Sequence, residues 1–371
     1  MFYLLGGIVT GIEYRKMNEL NVIYQFNDRY VPYAGISITS MFINNTGVDK
    51  INVYILGEDL SEKSRELLRE TAERFGRIVL FPNTEYMIDR LKKMRMIPYR
   101  GAFSVYLRLF FTEFIEVQNA INISDRCNKR FIYLDSDTIV NGSLLPLLYY
   151  NLQGKSIGMV LESIRDDYKV VIGMNECSEY FNSGVIVFDM NKWIENRYCE
   201  RIVDYIQNVR SSYIGDQDFL NIVCEGDVCR LPLIYNFQPL HARYSAKEYF
   251  KAYPVRTTVT GDNNEYYSSD EIECGKSSAV IYHCYRWLGE FTWNKNNFHP
   301  FNELFDKYLR QSLWKDYEKR KAKLGFMLRG EKILYRILPP RLFIFVFKKA
   351  HEMMLKGAEN KAKQNKVSQI S

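Results

Sequence analysis

Short continuous apolar runs alternate along this chain with longer amphipathic stretches. Leu20–Phe26 (LNVIYQF), Ile51–Leu56 (INVYIL), Arg77–Phe81 (RIVLF) and Arg130–Leu134 (RFIYL) are β-rich runs with little polar interruption, and Gly158–Leu161 and Gly184–Phe188 read the same way. Continuous runs of this length predict strands buried on both faces. Between them, Tyr33–Phe42 carries small and apolar residues suited to a buried helix. Ser61 is placed to cap a helix reaching about Phe75, with Leu67 and Leu68 on its inner side. Ser104–Ile115 (SVYLRLFFTEFI), Asn191–Val209 and Asp216–Val223 also predict helices, the last capped by Asp216. Strands and helices alternating at this spacing predict an α/β fold, with a mixed, mostly parallel central sheet flanked by helices.

The 371 residues show no internal repeat and no low-complexity linker before about residue 300, which is compatible with one long α/β domain. The aromatic share is high at 15%, as suits an aromatic core, a carbohydrate site or a membrane surface. Seven cysteines, odd in number and without C-x-x-C spacing, argue against a disulfide framework or a thiolate zinc site and for a reducing compartment. Met1–Gly11 is apolar but about half the length of a membrane span, and it lacks a basic n-region and a cleavage site. It reads as part of an added N-terminal arm, residues 1–19, or as the product of a misassigned start codon.

Charge separates the two ends of the chain. Residues 315–371 hold 15 Lys and Arg against 5 Asp and Glu, leaving 35 against 39 in residues 1–314. A nucleic-acid enzyme would spread basic charge around its site, so nucleic acid is not the expected partner. In Arg341–Lys356 the residues Phe343, Val346, Phe347, Ala350, Met353 and Met354 form one apolar stripe on a basic helix. The uninterrupted apolar run Leu342–Phe347 is too short to span. Residues 325–356 are therefore expected to lie on an anionic membrane surface, within a basic amphipathic C-terminal helical appendage (residues 313–371) that follows a catalytic domain (residues 20–312). The expected location is the cytoplasm, peripheral on the inner face of the cytoplasmic membrane.

The candidate chemistry begins at FIYLDSDT, where an apolar strand ends in two carboxylates, Asp135 and Asp137, with Ser136 between them. Ligands in open α/β sheets bind beyond the carboxyl ends of strands. If strand geometry persists, the two acids share one side, a hard oxygen pair suited to Mg²⁺ or Mn²⁺. The same letters also fit a phosphohydrolase with Asp135 as nucleophile, since Asp135-Ser136-Asp137-Thr138 matches its Asp-x-Asp-x-Thr pattern. Such enzymes open on this strand, whereas about 110 residues of strand–helix alternation precede it here.

Four further segments discriminate: Tyr106-Leu107-Arg108-Leu109, Asn182-Ser183-Gly184-Val185, Gly215-Asp216-Gln217-Asp218 and Tyr282-His283. With the acid motif, in this order and spacing, they resemble family 8 of the glycosyltransferases, typified by bacterial lipooligosaccharide galactosyltransferases and related to glycogenin. The resemblance covers roughly Leu20–Trp293. It implies a GT-A type fold and a retaining transfer of glucose or galactose from a UDP-sugar to a glycan or glycolipid acceptor, such as a lipopolysaccharide core. By the same resemblance, Asp135, Asp137 and His283 hold Mn²⁺ or Mg²⁺, and Asn27, Asp28 and Tyr30 hold the uracil, with Tyr30 as stacking platform. Arg108 reaches the donor sugar or diphosphate, while Asn182 and Asp216 bond sugar hydroxyls. Gln217 faces the anomeric carbon and stabilises positive charge developing there. The family usually closes its site with His-x-x-Gly-x-x-Lys-Pro-Trp. Here the segment is His283-Cys284-Tyr285-Arg286-Trp287-Leu288-Gly289-Glu290-Phe291-Thr292-Trp293, without the Lys-Pro, so Arg286 or Lys295 is the candidate replacement charge. The altered loop keeps a non-catalytic sugar-nucleotide-binding protein as an alternative.

Overall fold

A computed structural model describes residues 17–99, 101–123, 130–162, 164, 166–208, 215–245, 248, 267–339, 341–346 and 349. Its centre is a seven-stranded sheet in the order β3-β2-β1-β4-β7-β6-β8. The strands are β1 (Glu19–Asn27), β2 (Lys50–Glu58), β3 (Ile78–Leu80), β4 (Arg130–Leu134), β6 (Ile157–Leu161), β7 (Phe181–Asp189) and β8 (Val228–Arg230). Four pairings, β3–β2, β2–β1, β1–β4 and β6–β8, are parallel, while β7 runs antiparallel to both β4 and β6. The expected mixed, mostly parallel sheet is thus observed. Strands β1, β2 and β4 are buried over nearly their whole length, which is why they read as continuous apolar runs rather than alternating ones.

The helices of the described residues are α1 (Val31–Asn44), α2 (Glu62–Glu73), α3 (Glu85–Lys93), α4 (Ile115–Ile123), α5 (Leu145–Leu148), α6 (Asp166–Val171), α7 (Met190–Glu195), α8 (Tyr198–Asn208), α9 (Asp216–Val223), α10 (Pro239–Arg243), α11 (Ser269–Ser278), α12 (Asn302–Leu309) and α13 (Phe326–Ile337). A two-stranded ribbon, β5 (Thr138–Val140) against β9 (Ile281–His283), stands apart from the large sheet. Ser61 caps α2 as expected, accepting the Ser64 N–H at 3.3 Å, and Leu68 is buried while Leu67 is half-buried.

Three local expectations change. Ser104–Glu113 is a 3-10 helix with a non-helical break at Phe110, not an α-helix. The Gln25 amide, on β1, accepts the Arg108 N–H at 2.9 Å and donates to the Val105 carbonyl at 2.8 Å, so a long-range contact takes two groups an α-helix would use internally. The stretch 191–208 is two helices, because Arg197 takes a left-handed conformation (φ 53°) and the Asn196 side chain is held by Ser156 at 2.9 Å; Val209 lies outside the described residues. Finally, α9 is preceded by Gly215 at φ 64°, and Asp216 occupies its first turn without capping it, since its carboxylate is used elsewhere.

The C-terminal segment packs on the body from residue 314 onward. The Trp314 ring lies where a Cβ on Gly35 of α1 would be, 1.9 Å away, so only glycine admits it. Tyr317 Oη is 2.8 Å from Tyr33 Oη. Residues 341–346 are helical, with Phe343 and Ile344 buried and Phe343 against Tyr335 of α13 at 5.0 Å between ring centroids. The remainder of the predicted apolar stripe lies outside the described residues, apart from Val346. No helix among the described residues is long and apolar enough to cross a membrane.

Candidate active site and metal centre

The acid motif sits where β4 leaves the sheet. The Asp135 N–H still bonds across to Gly184 O of β7 at 2.8 Å, and the chain then turns, with Thr138 N and Oγ1 both donating to Asp135 O (3.1 and 2.8 Å). Strand geometry therefore does not persist through Asp137, contrary to the simple expectation. The carboxylates converge because the turn leads into β5, whose Thr138 lies opposite His283 of β9, with Cys284 N bonded to Asp137 O at 2.7 Å. His283 Nε2 is consequently 3.5 Å from Asp135 Oδ2 and 3.3 Å from Asp137 Oδ1. One ligand atom from each residue lies within 4.8 Å of the others. Two carboxylate oxygens and one imidazole nitrogen are a donor set that fits Mn²⁺ or Mg²⁺. Ser136 is buried in the turn.

Electrostatics support a cation here. Burial alone would lower the His283 pKa, but the Asp137 charge and the contacts with both aspartates outweigh it and push it up to about 10. Burial would raise Asp135, yet the His283 bond and the Arg108 and His283 charges hold it below its usual range. A proton on His283 thus stands in for a metal in the metal-free chain. With a folded pKa near 10 and an unfolded value near 6.5, its stabilisation is complete below about pH 6.5 and lost as pH rises toward 10. The metal-free chain should therefore melt progressively lower between those pH values, and added Mn²⁺ should raise the melting temperature most at the alkaline end, as calorimetry would show.

Arg108 is almost fully buried and ties the site together. Its Nε donates to Asp216, Nη1 to Ser183 O (2.6 Å) and weakly to Asp135 Oδ1 (3.4 Å), and Nη2 to Ser183 Oγ (2.8 Å). Its guanidinium also lies 4.2 Å over the Tyr133 ring, whose hydroxyl bonds Asp135 at 2.6 Å. The partner that a buried arginine requires is thus the pair Asp216 and Asp135. Burial pushes the Asp216 carboxyl up, opposed by Arg108.

Gln217 is held at both ends of its amide: Oε1 accepts Ser183 N (3.0 Å) and Oγ (3.3 Å), and Nε2 donates to Tyr180 Oη (3.2 Å). Tyr180 is fixed in turn by the buried Asp218 at 2.6 Å. Asn182 donates to Glu162 and accepts from Gly184 N (2.9 Å) and Asn236 Nδ2 (2.7 Å).

At the end of β1, Asp28 Oδ1 accepts from Ser61 N and Oγ (3.0 and 3.1 Å), fastening the strand to the start of α2. Asn27 Oδ1 is a buried acceptor with no partner among the described residues. Tyr30 is half-buried, with Tyr33 and Trp293 edge-on to it at 5.7 and 6.4 Å.

Beyond His283 the loop is held by the C-terminal segment. Trp293 is stacked between Tyr33 (3.8 Å) and Phe291 (4.3 Å). Lys332 of α13 pairs with the buried Glu290 (2.7 Å) and donates to Asn296 O (2.9 Å), while Leu328 and Leu324 crowd the left-handed Gly289. Arg286 is exposed and its Nε is used on Gly289 O at 2.8 Å. Gln25 and Asn236 lie outside every motif, and Tyr133 and Ser183 lie within motifs that assign them no role. Their only signal was polarity inside apolar stretches, as in QF, FIYL and LIYNF.

Comparisons with known proteins agree with this geometry. Residues 21–260 match the family model described as glycosyl transferase family 8. The chain is 25% identical to the lipopolysaccharide 1,2-glucosyltransferase of Escherichia coli (strain K12), over 82% of this chain and 81% of that protein. It is 21% identical to general stress protein A of Bacillus subtilis (strain 168), over 81% and 96% respectively. The crystal structure of galactosyltransferase LgtC in complex with donor and acceptor sugar analogs superposes with a TM-score of 0.61 at 19% identity, covering 84% of this chain and 99% of that one, so the architecture is the GT-A fold. The chain belongs to glycosyl transferase family 8 and is a glycosyltransferase.

Proposed function

We propose that this glycosyltransferase moves a hexose, glucose or galactose, from a UDP-sugar to a glycan or glycolipid acceptor with retention of anomeric configuration. The observation that carries the reading is the convergence of Asp135, Asp137 and His283 at the exit of β4. A divalent ion held by these residues supplies Lewis-acid stabilisation of the charge that grows on the departing diphosphate. Mn²⁺ is the proposed ion, with Mg²⁺ the other candidate.

The chain's own groups fill the remaining roles. The unpartnered Asn27 Oδ1 fits the imide N–H of a uracil ring, and Tyr30 offers it a stacking face. Asp28 and Ser136 flank this end of the donor. Asn182 and Asp216 bond sugar hydroxyls, and Arg286 approaches the diphosphate from the closing loop. Arg108, already committed to Asp216, Asp135 and Ser183, acts mainly by holding these groups in place. Gln217 is an uncharged amide and a poor nucleophile, so its dipole stabilises positive charge at the anomeric carbon while the acceptor attacks on the leaving-group side. An aspartyl-phosphate mechanism is disfavoured because residues 21–260 match glycosyl transferase family 8. Transfer from UDP-glucose or UDP-galactose to an oligosaccharide acceptor, followed by proton NMR of the product linkage, tests this reading: an α-linkage is expected, and a β-linkage would contradict it.

We further propose that the acceptor lies at a lipid surface, on the lipopolysaccharide core or a comparable lipid-linked glycan. Phe326, Met327, Ile333 and Ile337 of α13 are 93%, 79%, 60% and 65% exposed, in a segment rich in Lys and Arg. Such a basic, apolar-faced helix suits peripheral attachment to anionic lipid on the inner face of the cytoplasmic membrane. The full chain should co-sediment with anionic vesicles but not neutral ones, and Phe326→Glu/Ile333→Glu should abolish the difference. Equal sedimentation of both forms would refute the attachment.

A further inference from the structure

We propose that Asn236 is a positioning residue for His283, the last member of a relay Glu162–Asn182–Asn236 that dictates which imidazole nitrogen faces the metal. The proposal rests on the metal-dependent reading above.

His283 Nδ1 lies 3.0 Å from Asn236 Oδ1, on the side of the ring opposite the carboxylates. An amide oxygen only accepts, so the proton in this bond belongs to Nδ1, and Nε2 is the nitrogen that faces Asp135 and Asp137 and would offer its lone pair to a metal there. That assignment holds only if the Asn236 amide cannot flip. Its Nδ2 donates to Asn182 Oδ1 at 2.7 Å, which fixes Asn236 provided Asn182 is itself fixed. Asn182 is fixed from both ends: its Oδ1 also receives the Gly184 backbone N–H at 2.9 Å, and its Nδ2 donates to a Glu162 carboxylate oxygen. A backbone N–H can only donate and an ionised carboxylate can only accept. Flipping either amide would set donor against donor or acceptor against acceptor in a site where Asn236, Asn182 and His283 are 0%, 7% and 4% exposed.

The relay draws on three separate stretches: the residue after β6, the start of β7, and the residue after the 3-10 turn Leu233–Tyr235. The backbone leaves room for it. A Cβ on Gly184 would lie 2.2 Å from His283 Cε1 and 3.0 Å from Asn182 Oδ1, so glycine is the residue that admits both. Because Asn182 Oδ1 is occupied twice and one of its two N–H groups is spent on Glu162, a single N–H remains for the donor sugar. Holding the metal ligand is thus as much a part of its role as touching substrate.

Mn²⁺ titration of the full-length chain, followed by electron paramagnetic resonance, tests the relay. Asn236→Ala should weaken Mn²⁺ binding about 10–100-fold. Asn52→Ala removes a buried amide bonded to Asn21 and Glu19, at the opposite end of the sheet, and should lower stability without changing Mn²⁺ affinity. With only four histidines in the chain, ¹⁵N-histidine spectra of the Zn²⁺-loaded protein give a readout that needs no variant, and should show His283 protonated at Nδ1 and metal-bound at Nε2. Wild-type Mn²⁺ affinity in Asn236→Ala or a metal-bound Nδ1 would each overturn the relay alone. Absence of Mn²⁺ binding by the wild type would instead overturn the metal reading and the relay with it.

Discussion

Arg108→Met is expected to destabilise the chain by about 3–5 kcal/mol, because it removes the cation from two carboxylates and leaves one of them, Asp216, buried and uncompensated. In a chain of this size that corresponds to a fall in melting temperature on the order of 5–10 °C. The loss should depend on pH in a specific direction. Burial already pushes the Asp216 carboxyl up, and without Arg108 the main opposing influence is gone, so the variant's penalty is small where Asp216 is protonated and grows as pH rises. Melting curves at pH 5 and pH 8 should therefore diverge from wild type by different amounts, with the larger gap at pH 8. Arg108→Met/Asp216→Asn should recover much of the loss, since the buried charge is then gone. A variant as stable as wild type at pH 8 would show that the guanidinium is not the tie between the 3-10 helix, β4 and α9.

Asp137→Asn is expected to cost turnover rather than stability. Asp137 contributes one of three ligand atoms, and its backbone carbonyl, which the substitution leaves in place, joins the turn to Cys284. Exchange of a carboxylate for an amide preserves shape while removing the charge that balances the metal. Turnover should fall on the order of 10²–10³-fold at fixed Mn²⁺, comparable to losing a direct electrostatic contact to the leaving group. Because His283 then loses one of the acids that hold its proton, the alkaline decline in stability of the metal-free chain should also shift to lower pH.

Much of the sheet was legible in advance because parallel strands buried on both faces leave an unmistakable trace: LNVIYQF, INVYIL and RFIYL became β1, β2 and β4. The acid pair was legible for a related reason, as charge has no place at the end of such a run unless something there needs it. The misreadings share a cause. Ser104–Glu113 has an apolar pattern that any helix could use, and a residue over 80 positions away, Gln25, decided which helix it became. Asp216 looked like a cap because capping is local, whereas its partner Arg108 comes from another element. The convergence of Asp137 with His283 depends on the β5–β9 ribbon, two three-residue strands too short to announce themselves. Asn236 carried no motif at all, and its place in the site follows from the order in which backbone and side-chain donors meet. Composition marks residues 313–371 as a basic appendage but says nothing of its contacts, and Trp314 against Gly35 and Lys332 against Glu290 pack its first half on the body and brace the loop after His283.

The central claim is that Asp135, Asp137 and His283 hold the divalent ion through which a sugar nucleotide is used. Its most direct test is the rate of UDP release from UDP-glucose and UDP-galactose by wild type and Asp137→Asn, with Mn²⁺ and after chelation. The account predicts release by wild type only when the metal is present, with the variant slower on the order of 10²–10³-fold. Equal release by the two proteins, or wild-type release unaffected by chelation, would contradict it.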